Sequence, residues 1–240
     1  MSDSKALARA KLVPLAEVGT VTRMPGIPQL ALAPQRAAAY EDVPPPAAPG
    51  AASNENGDRN VRAKELIGRE AAKLCSLKEA VMIDGGSTTR QMCPHLAGLN
   101  LQVLTNSLLI VNALLPQRGT RVLVPGGQVF PEQNIILSAA VDDDMPRFHA
   151  PKLFMGAAAI GPDGLVQADF ILVAAKRRLI DRAEQIIVLA DSSKFGSSSG
   201  QVVCGLEEID ILITDAGVSP ENAALLERNG VKLIVAPANC

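Results

Sequence analysis

Apolar runs alternate with amphipathic segments from about residue 60 to the C-terminus of this chain. The run at 186–190, Ile-Ile-Val-Leu-Ala, is apolar on both faces, which is typical of a strand buried between two layers of helices. Other segments, such as 62–76, place their apolar residues at helical spacing. The pattern predicts strands at 80–84, 101–105, 120–125, 152–156, 185–190, 209–214 and 231–235, and helices at 62–76, 88–98, 106–117, 134–145, 172–183 and 219–229.

The alternation of strands and helices predicts an α/β fold with a doubly wound, mostly parallel sheet. In sheets of this kind, ligands bind at the carboxyl ends of the strands. The residues that follow each predicted strand are therefore the candidates for a binding site.

A glycine turn rich in hydroxyl side chains follows the first predicted strand. It spans residues 84–89, Asp-Gly-Gly-Ser-Thr-Thr, and precedes a predicted helix. Such a junction presents unpaired backbone N–H groups to an anion, and Ser87, Thr88 and Thr89 add side-chain donors. The turn therefore predicts a cradle for the phosphate or carboxylate of a small phosphorylated metabolite. The alternative is an ordinary strand-to-helix turn with a hydroxyl cap.

Small polar residues and glycines also follow the other predicted strands, together with one lysine, Lys194. This concentration of hydroxyl and amide groups at one sheet edge favours a binding crevice over a series of unrelated turns. Asp84, Asp191 and Asp215 lie at the same edge; hydroxyl binding and turn formation are favoured over acid–base chemistry for them. The predicted ligand-binding residues are Asp84, Gly85, Gly86, Ser87, Thr88, Thr89, Thr105, Asn106, Ser107, Gly126, Gly127, Gly156 and Lys194.

These residues are expected to bind different parts of the ligand. Asp84 and Asn106 are expected to bind hydroxyls or ring oxygens, and Lys194 to bind an anionic group. Gly126 and Gly127 are expected to let the backbone approach the ligand closely.

Composition limits the other functions open to the chain. A net charge of −2 and an aromatic content of 2% argue against a protein that coats nucleic acid through charge or base stacking. No apolar run approaches the roughly 18 residues of a membrane span, and no signal-peptide core is present, so a cytoplasmic protein is predicted. The four cysteines form no C-x-x-C pair, and no metal, cofactor or catalytic residue is predicted.

Six motifs at the ends of the predicted strands follow one another in the order and spacing of a known family. They are Ile-Asp-Gly-Gly-Ser-Thr-Thr (83–89), Leu-Thr-Asn-Ser (104–107), Val-Pro-Gly-Gly-Gln (124–128), Phe-Met-Gly-Ala (154–157), Ala-Asp-Ser-Ser-Lys-Phe-Gly (190–196) and Ile-Asp-Ile-Leu-Ile-Thr-Asp (209–215). With them, the chain resembles the effector domain of DeoR-family bacterial transcriptional regulators over about residues 60–236. The resemblance implies the fold class of ribose-5-phosphate isomerase and glucosamine-6-phosphate deaminase, and the sensing of a phosphorylated sugar or sugar acid. It also implies operator DNA as a partner and assembly into a homodimer or homotetramer.

Two finer implications follow from the resemblance. Within the family, three of the motifs are similar to the ascorbate-utilisation repressor branch, whose inducer is a phosphorylated ascorbate. Lys176 resembles a family lysine near the effector; its alternative role is a solvated cation on a helix.

The chain is expected to divide into three parts: residues 1–40, a Pro/Gly/Asn-rich linker at 41–60, and the effector-binding domain at 61–240. The first part resembles the end of a winged helix-turn-helix, without the two helices that precede the recognition helix in the family. Its DNA-binding residues would be Lys5, Arg9, Lys11 and Arg23.

The sequence favours a regulator and leaves an enzyme as the alternative. A phosphosugar isomerase or deaminase of the same fold class needs an acid or base at the substrate carbon, and the aspartates at the strand ends are available for this role. Neither histidine lies in a strand-end motif.

We predict that the chain of 240 residues binds operator DNA weakly and without sequence preference. A recognition helix without supporting helices has no fixed position in the major groove, so the remaining affinity comes from contacts between cations and phosphates and falls steeply with salt. Fluorescence anisotropy against promoter DNA at physiological salt, with unrelated DNA as competitor, measures this. Nanomolar binding that survives the competitor would contradict the prediction.

Overall fold

A computed structural model of the chain describes residues 60–137, 148, 150–196 and 199–238. Seven strands form one sheet, and every pair of neighbours in it is parallel. The strands are β1 (Ala80–Ile83), β2 (Gln102–Leu104), β3 (Arg121–Leu123), β6 (Ala150–Gly156), β9 (Ala183–Leu189), β11 (Ile211–Thr214) and β12 (Lys232–Val235).

The order of strands across this sheet is β12-β11-β9-β6-β1-β2-β3. The chain therefore runs outward from β1 to one edge, returns to β6 beside β1, and continues to the other edge. In parallel sheets, the crevice at such a change of direction is where ligands bind. The fold thus places the carboxyl ends of β1 and β6, with the loops that follow them, at the centre of the expected site.

Helices cover both faces of the sheet, as the doubly wound prediction requires. They are α1 (Val61–Ala72), α2 (Ser87–Arg90), α3 (Leu108–Leu114), α4 (Phe170–Ile180) and α5 (Pro220–Arg228). Buried side chains of α1, of the 3₁₀ turn Cys93–Leu96 and of α3 pack on one face, and those of α4 and α5 pack on the other. Successive residues of β1 alternate between the two cores: Val81 and Ile83 lie in the first and Met82 in the second.

All seven strands of the main sheet lie where apolar runs predicted them, and so do α1, α3, α4 and α5. The helix predicted at 88–98 is instead the single turn α2 followed by the 3₁₀ turn. Pro94 lies within the 3₁₀ turn and has no backbone N–H to continue an α-helix.

The helix predicted at 134–145 is wrong at its start. Ile135–Leu137 forms β5, which pairs antiparallel with β4 (Gln128–Phe130) in a hairpin. A short apolar run fits a strand or a buried helix equally well, and isoleucine favours the strand. Positions 138–145 of the predicted helix lie outside the described residues.

A second, antiparallel sheet went unpredicted. Its strands are β7 (Ala159–Gly161), β8 (Gly164–Gln167) and β10 (Gln201–Cys204), in the order β10-β8-β7. Ile160 and Leu165 join the core beneath α4. Among the described residues, no helix combines the length and apolar character needed to cross a bilayer.

Substitution of Gly68 by alanine should destabilise the domain. A Cβ at this position of α1 would lie 2.5 Å from the carbonyl carbon of Gln91, so the helix would have to move away from the segment that follows α2. We expect a loss of about 1–3 kcal/mol, larger than the gain in helix propensity. Urea unfolding measures it, with exposed Glu65→Ala in the same helix as control. An alanine variant as stable as the wild type would show that the helix is not held this closely.

Candidate ligand-binding site

A cavity of about 440 Å³ lies at the change of direction between β1 and β6. Loops from both strands line it, together with residues from the β4–β5 hairpin, α4 and the turn after β9. The lining residues are Asp84, Gly85, Gly86, Ser87, Thr88, Ser107, Leu109, Glu132, Gln133, Asn134, Ile135, Gly156, Ala157, Ala158, Gln167, Asp169, Leu172, Lys176 and Lys194.

The turn after β1 has the features of an anion cradle. The backbone N–H groups of residues 85–88 make no hydrogen bond to any other described residue. The Thr89 hydroxyl donates to Gly86 O at 3.1 Å and fixes the turn from beneath. A Cβ at Gly85 would lie 2.9 Å from the Ser107 hydroxyl oxygen, so glycine at this position allows the turn to approach Ser107 closely.

A buried ion pair forms the floor of the cavity. Lys176, on α4, donates from Nζ to Asp84 Oδ2 and, at 2.8 Å, to the carbonyl of Gly156. Both charged residues are at most 5% exposed. The alternative role for Lys176, a solvated helix cation, is therefore wrong. Oδ1 of Asp84 accepts no hydrogen bond from the described residues, which leaves it available to a ligand.

Lys194 enters the cavity from the 3₁₀ turn Ser192–Lys194 after β9. Within the described part of the chain, its ammonium group has neither a carboxylate partner nor a hydrogen bond. It is therefore the cation of the cavity whose charge is not already neutralised by a neighbour.

Two aspartates hold this turn from opposite sides. Asp191 Oδ1 accepts from the backbone N–H of Ser193 at 3.2 Å and from the hydroxyl of the same residue. Asp215, after β11, accepts from Ser192 N at 2.6 Å and from Ser192 Oγ at 2.9 Å. Both aspartates thus form turns, the role favoured for them from the sequence.

The β4–β5 hairpin closes one side of the cavity. Leu108 N donates to Asn134 O at 2.9 Å, and Ile136 N donates to Asn106 O at 2.8 Å, which fixes the hairpin to the start of α3. On the other side, Gln133 Nε2 donates to Asp169 Oδ2 at 2.8 Å. Asp169 also caps α4 by accepting from Ile171 N, so both of its oxygens are occupied.

Nine of the predicted ligand-binding residues line this cavity, with Lys176 among them. The other five lie outside the lining: Thr89 is buried beneath the turn, Thr105 Oγ1 accepts from Ser107 N at 3.1 Å, and Asn106 is 1% exposed. Gly126 and Gly127 lie in the turn between β3 and β4. The nine are Asp84, Gly85, Gly86, Ser87, Thr88, Ser107, Gly156, Lys176 and Lys194.

The hairpin residues Glu132–Ile135 and the α4 cap Asp169 are the part of the site that sequence reasoning missed. The pair Ala168-Asp169 before an apolar run carries a helix-start signal, but the hairpin was assigned to a helix. The proposed DNA contacts Lys5, Arg9, Lys11 and Arg23 lie outside the described residues. Among those that are described, no cluster of histidine, cysteine or acidic side chains could hold a metal.

The family model for the DeoR C-terminal sensor domain matches residues 59–216. The chain is 34% identical to the HTH-type transcriptional repressor GlcR of Bacillus subtilis strain 168 over 72% of this chain and 67% of that one. It is 29% identical to the HTH-type transcriptional regulator UlaR of Shigella dysenteriae serotype 1 over 75% of this chain and 70% of the relative. The chain therefore belongs to the DeoR family of transcriptional regulators and carries their sensor domain.

Solved structures resemble the domain more distantly. Ribose 5-phosphate isomerase A from Methanocaldococcus jannaschii aligns at 15% identity with a TM-score of 0.40, over 60% of this chain and 56% of the isomerase. A likeness at this level carries no argument about function.

The contacts of Asp215 predict an acid-sensitive contribution to stability. Burial alone raises the pKa of Asp215, but hydrogen bonds from Ser192 and Gly217 outweigh it and hold the pKa below the ordinary 3.8. The contribution is therefore complete above about pH 3.8 and is lost as the pH falls through the lower pKa of the folded state. We expect Asp215→Asn to be less stable than the wild type at neutral pH, with a difference that shrinks in acid.

Thermal unfolding between pH 2.5 and 7 measures this difference, with exposed Asp163→Asn as the matched control. A difference between the wild type and Asp215→Asn that stays constant across this range would contradict the assignment.

Proposed function

We propose that the cavity binds a phosphorylated sugar or sugar acid, and that this ligand controls the regulator. The single observation that carries the proposal is the convergence of Lys194, whose charge is not neutralised, with the unpaired N–H groups of residues 85–88 in one cavity. Together they supply a cation and several directed donors, the combination by which proteins bind phosphate.

The phosphate lies against the turn after β1. The backbone N–H groups there donate to its oxygens, the hydroxyls of Ser87 and Thr88 add donors, and Lys194 supplies the charge. Because α2 is a single turn, little of the attraction comes from a helix dipole. The cradle rests on individual donors and on the lysine.

The sugar end lies over the floor of the cavity. Asp84 Oδ1 is available to accept from a hydroxyl, and the hydrogen bond from Lys176 to Oδ2 holds the carboxylate in place. The hairpin contributes Gln133 and Asn134 to the lining, with amide groups that match hydroxyls. An anionic head and a polyol body thus meet complementary groups in the same cavity.

The acidic residues of the cavity do not prevent anion binding. The charge of Asp84 is neutralised by Lys176, and Asp169 accepts two hydrogen bonds within the protein. Glu132 is exposed at the rim, where water screens its charge.

The same contacts favour binding over turnover. Of the carboxylates in the cavity, Asp84 is held at Oδ2 by Lys176, both oxygens of Asp169 are occupied, and Glu132 lies exposed at the rim, so none is enclosed and tuned as a general base would be. We therefore infer a sensor without enzymatic activity. In line with the family, we propose operator DNA and further copies of the chain as partners, and a phosphorylated ascorbate as one ligand to be tested.

Lys194→Ala should weaken binding of the phosphorylated ligand about 10- to 100-fold, because a charge-assisted hydrogen bond to phosphate is lost. Thr88→Val combined with it should abolish ligand-induced stabilisation and leave the fold intact. Thermal shift with inorganic phosphate, glucose 6-phosphate, ribose 5-phosphate and a phosphorylated ascorbate measures this, since a ligand specific to the native state raises the melting temperature.

Lys232→Ala is the matched control, because Lys232 is an exposed lysine at the start of an edge strand. Undiminished stabilisation of the double variant by these ligands would contradict the site. Conversion of any of the sugar phosphates, followed by NMR, would favour the isomerase or deaminase alternative.

A further inference from the structure

The turn that presents Lys194 is joined to the first residue of the described domain. Asn60 Nδ2 donates to Asp191 Oδ1 at 2.9 Å and to Ser193 Oγ at 3.2 Å. Asn60 immediately precedes α1, and residues 1–59 connect to the domain through it. The side chain of Asn60 thus links the start of α1, where residues 1–59 join the domain, to the 191–194 turn, which forms part of the cavity.

The carboxylate of Asp191 has few hydrogen-bond donors, and Asn60 is one of them. The residue is 1% exposed, and its Oδ2 is buried without a partner among the described residues. Its Oδ1 accepts from Ser193, which belongs to the same turn, and from Asn60. Within the described part of the chain, Asn60 is therefore the sole hydrogen-bond donor to this carboxylate from another element.

Asn60 does not act as an ordinary helix cap for α1. Its φ is 58°, in the left-handed region, and its side chain makes no capping hydrogen bond to α1. Its side-chain amide donates instead from Nδ2 to Asp191 and Ser193. The start of α1 and the 191–194 turn are consequently fixed by the same group.

We propose that Asn60 is a positioning residue for the effector site and couples that site to the chain that precedes α1. Through Asp191 and Ser193 it sets the turn from which Lys194 reaches the cavity. Anion binding at Lys194 orders the turn, and with it Asn60 and the start of α1. By linkage, a disturbance at the start of α1 weakens anion binding by the same factor. This inference rests on the proposed function, because it requires an anion at Lys194.

The test uses Asn60→Gly in the full chain, because glycine adopts a left-handed φ without strain and removes only the side chain. Arg62→Ala is the matched control, since Arg62 is exposed on the first turn of the same helix. The probes are inorganic phosphate and glucose 6-phosphate. Affinity is read by titration calorimetry, and amide hydrogen exchange is read by mass spectrometry on peptides that cover residues 60–66.

In the wild type and in Arg62→Ala, we expect the probes to slow exchange in this peptide. In Asn60→Gly, the affinity should fall about 2- to 10-fold, because part of the energy of the two lost hydrogen bonds is transmitted to the site, and the slowing should disappear. Lys194→Ala should weaken binding about 10- to 100-fold and, because the anion then has no contact with the 191–194 turn, should remove the slowing. A change of exchange at 60–66 that depends on Asn60 is not expected of a residue that only stabilises the fold.

Three other results would overturn the inference. Wild-type affinity in Asn60→Gly would show that the residue does not position the site. Binding to the wild type with unchanged exchange at 60–66 would remove the coupling and leave the proposed function standing. Absence of binding by either probe to the wild type would remove the proposed function, and this inference with it. Far-UV circular dichroism and the melting temperature establish that Asn60→Gly is folded.

Discussion

The buried ion pair between Asp84 and Lys176 is the constraint on which the binding site depends. It joins the end of β1 to α4, and the second hydrogen bond of Lys176, to Gly156, adds the end of β6. Loss of one partner from such a pair leaves an uncompensated buried charge, which typically costs about 3–5 kcal/mol. The two central strands and the helix above them are therefore held in one arrangement, and the cavity lies where they meet.

The position of this pair follows from the topology. With β1 and β6 adjacent and the chain leaving them in opposite directions, the loops after these strands diverge and leave a crevice. Strands buried on both faces make the sheet rigid, because their side chains enter two separate cores. The hairpin and the 191–194 turn are held to this frame by hydrogen bonds and complete the cavity wall.

Periodicity predicted the main sheet because each of its strands contains a run of apolar residues near a polar turn, such as residues 186–189 of β9. The glycine turn at 84–89 and Lys194 were found for the same reason, since they directly follow such runs. The β4–β5 hairpin was missed because the apolar residues of β5 are followed by three more at 139–141, so periodicity did not distinguish a strand from a helix. Its place over the cavity depends on contacts with Asn106 and Asp169, which are distant in sequence and leave no local pattern.

The energetics of the Asn60 contact limit how much regulation it can supply alone. A ligand shifts an equilibrium only by the difference in its interaction energy with the two states. Asn60 makes one hydrogen bond to a carboxylate, of the kind that contributes about 1.5–3 kcal/mol, and one to a hydroxyl, and allosteric couplings are typically about 1–3 kcal/mol. Because only the part of this energy that differs between the two states contributes, a full regulatory response requires further contacts between α1 and the sheet to change together with Asn60. Two buried residues of α1 pack in the same core as two of β9, namely Ile67 and Ala71 with Ile187 and Leu189. Because β9 leads into the 191–194 turn, a movement of α1 or of β9 displaces the other element.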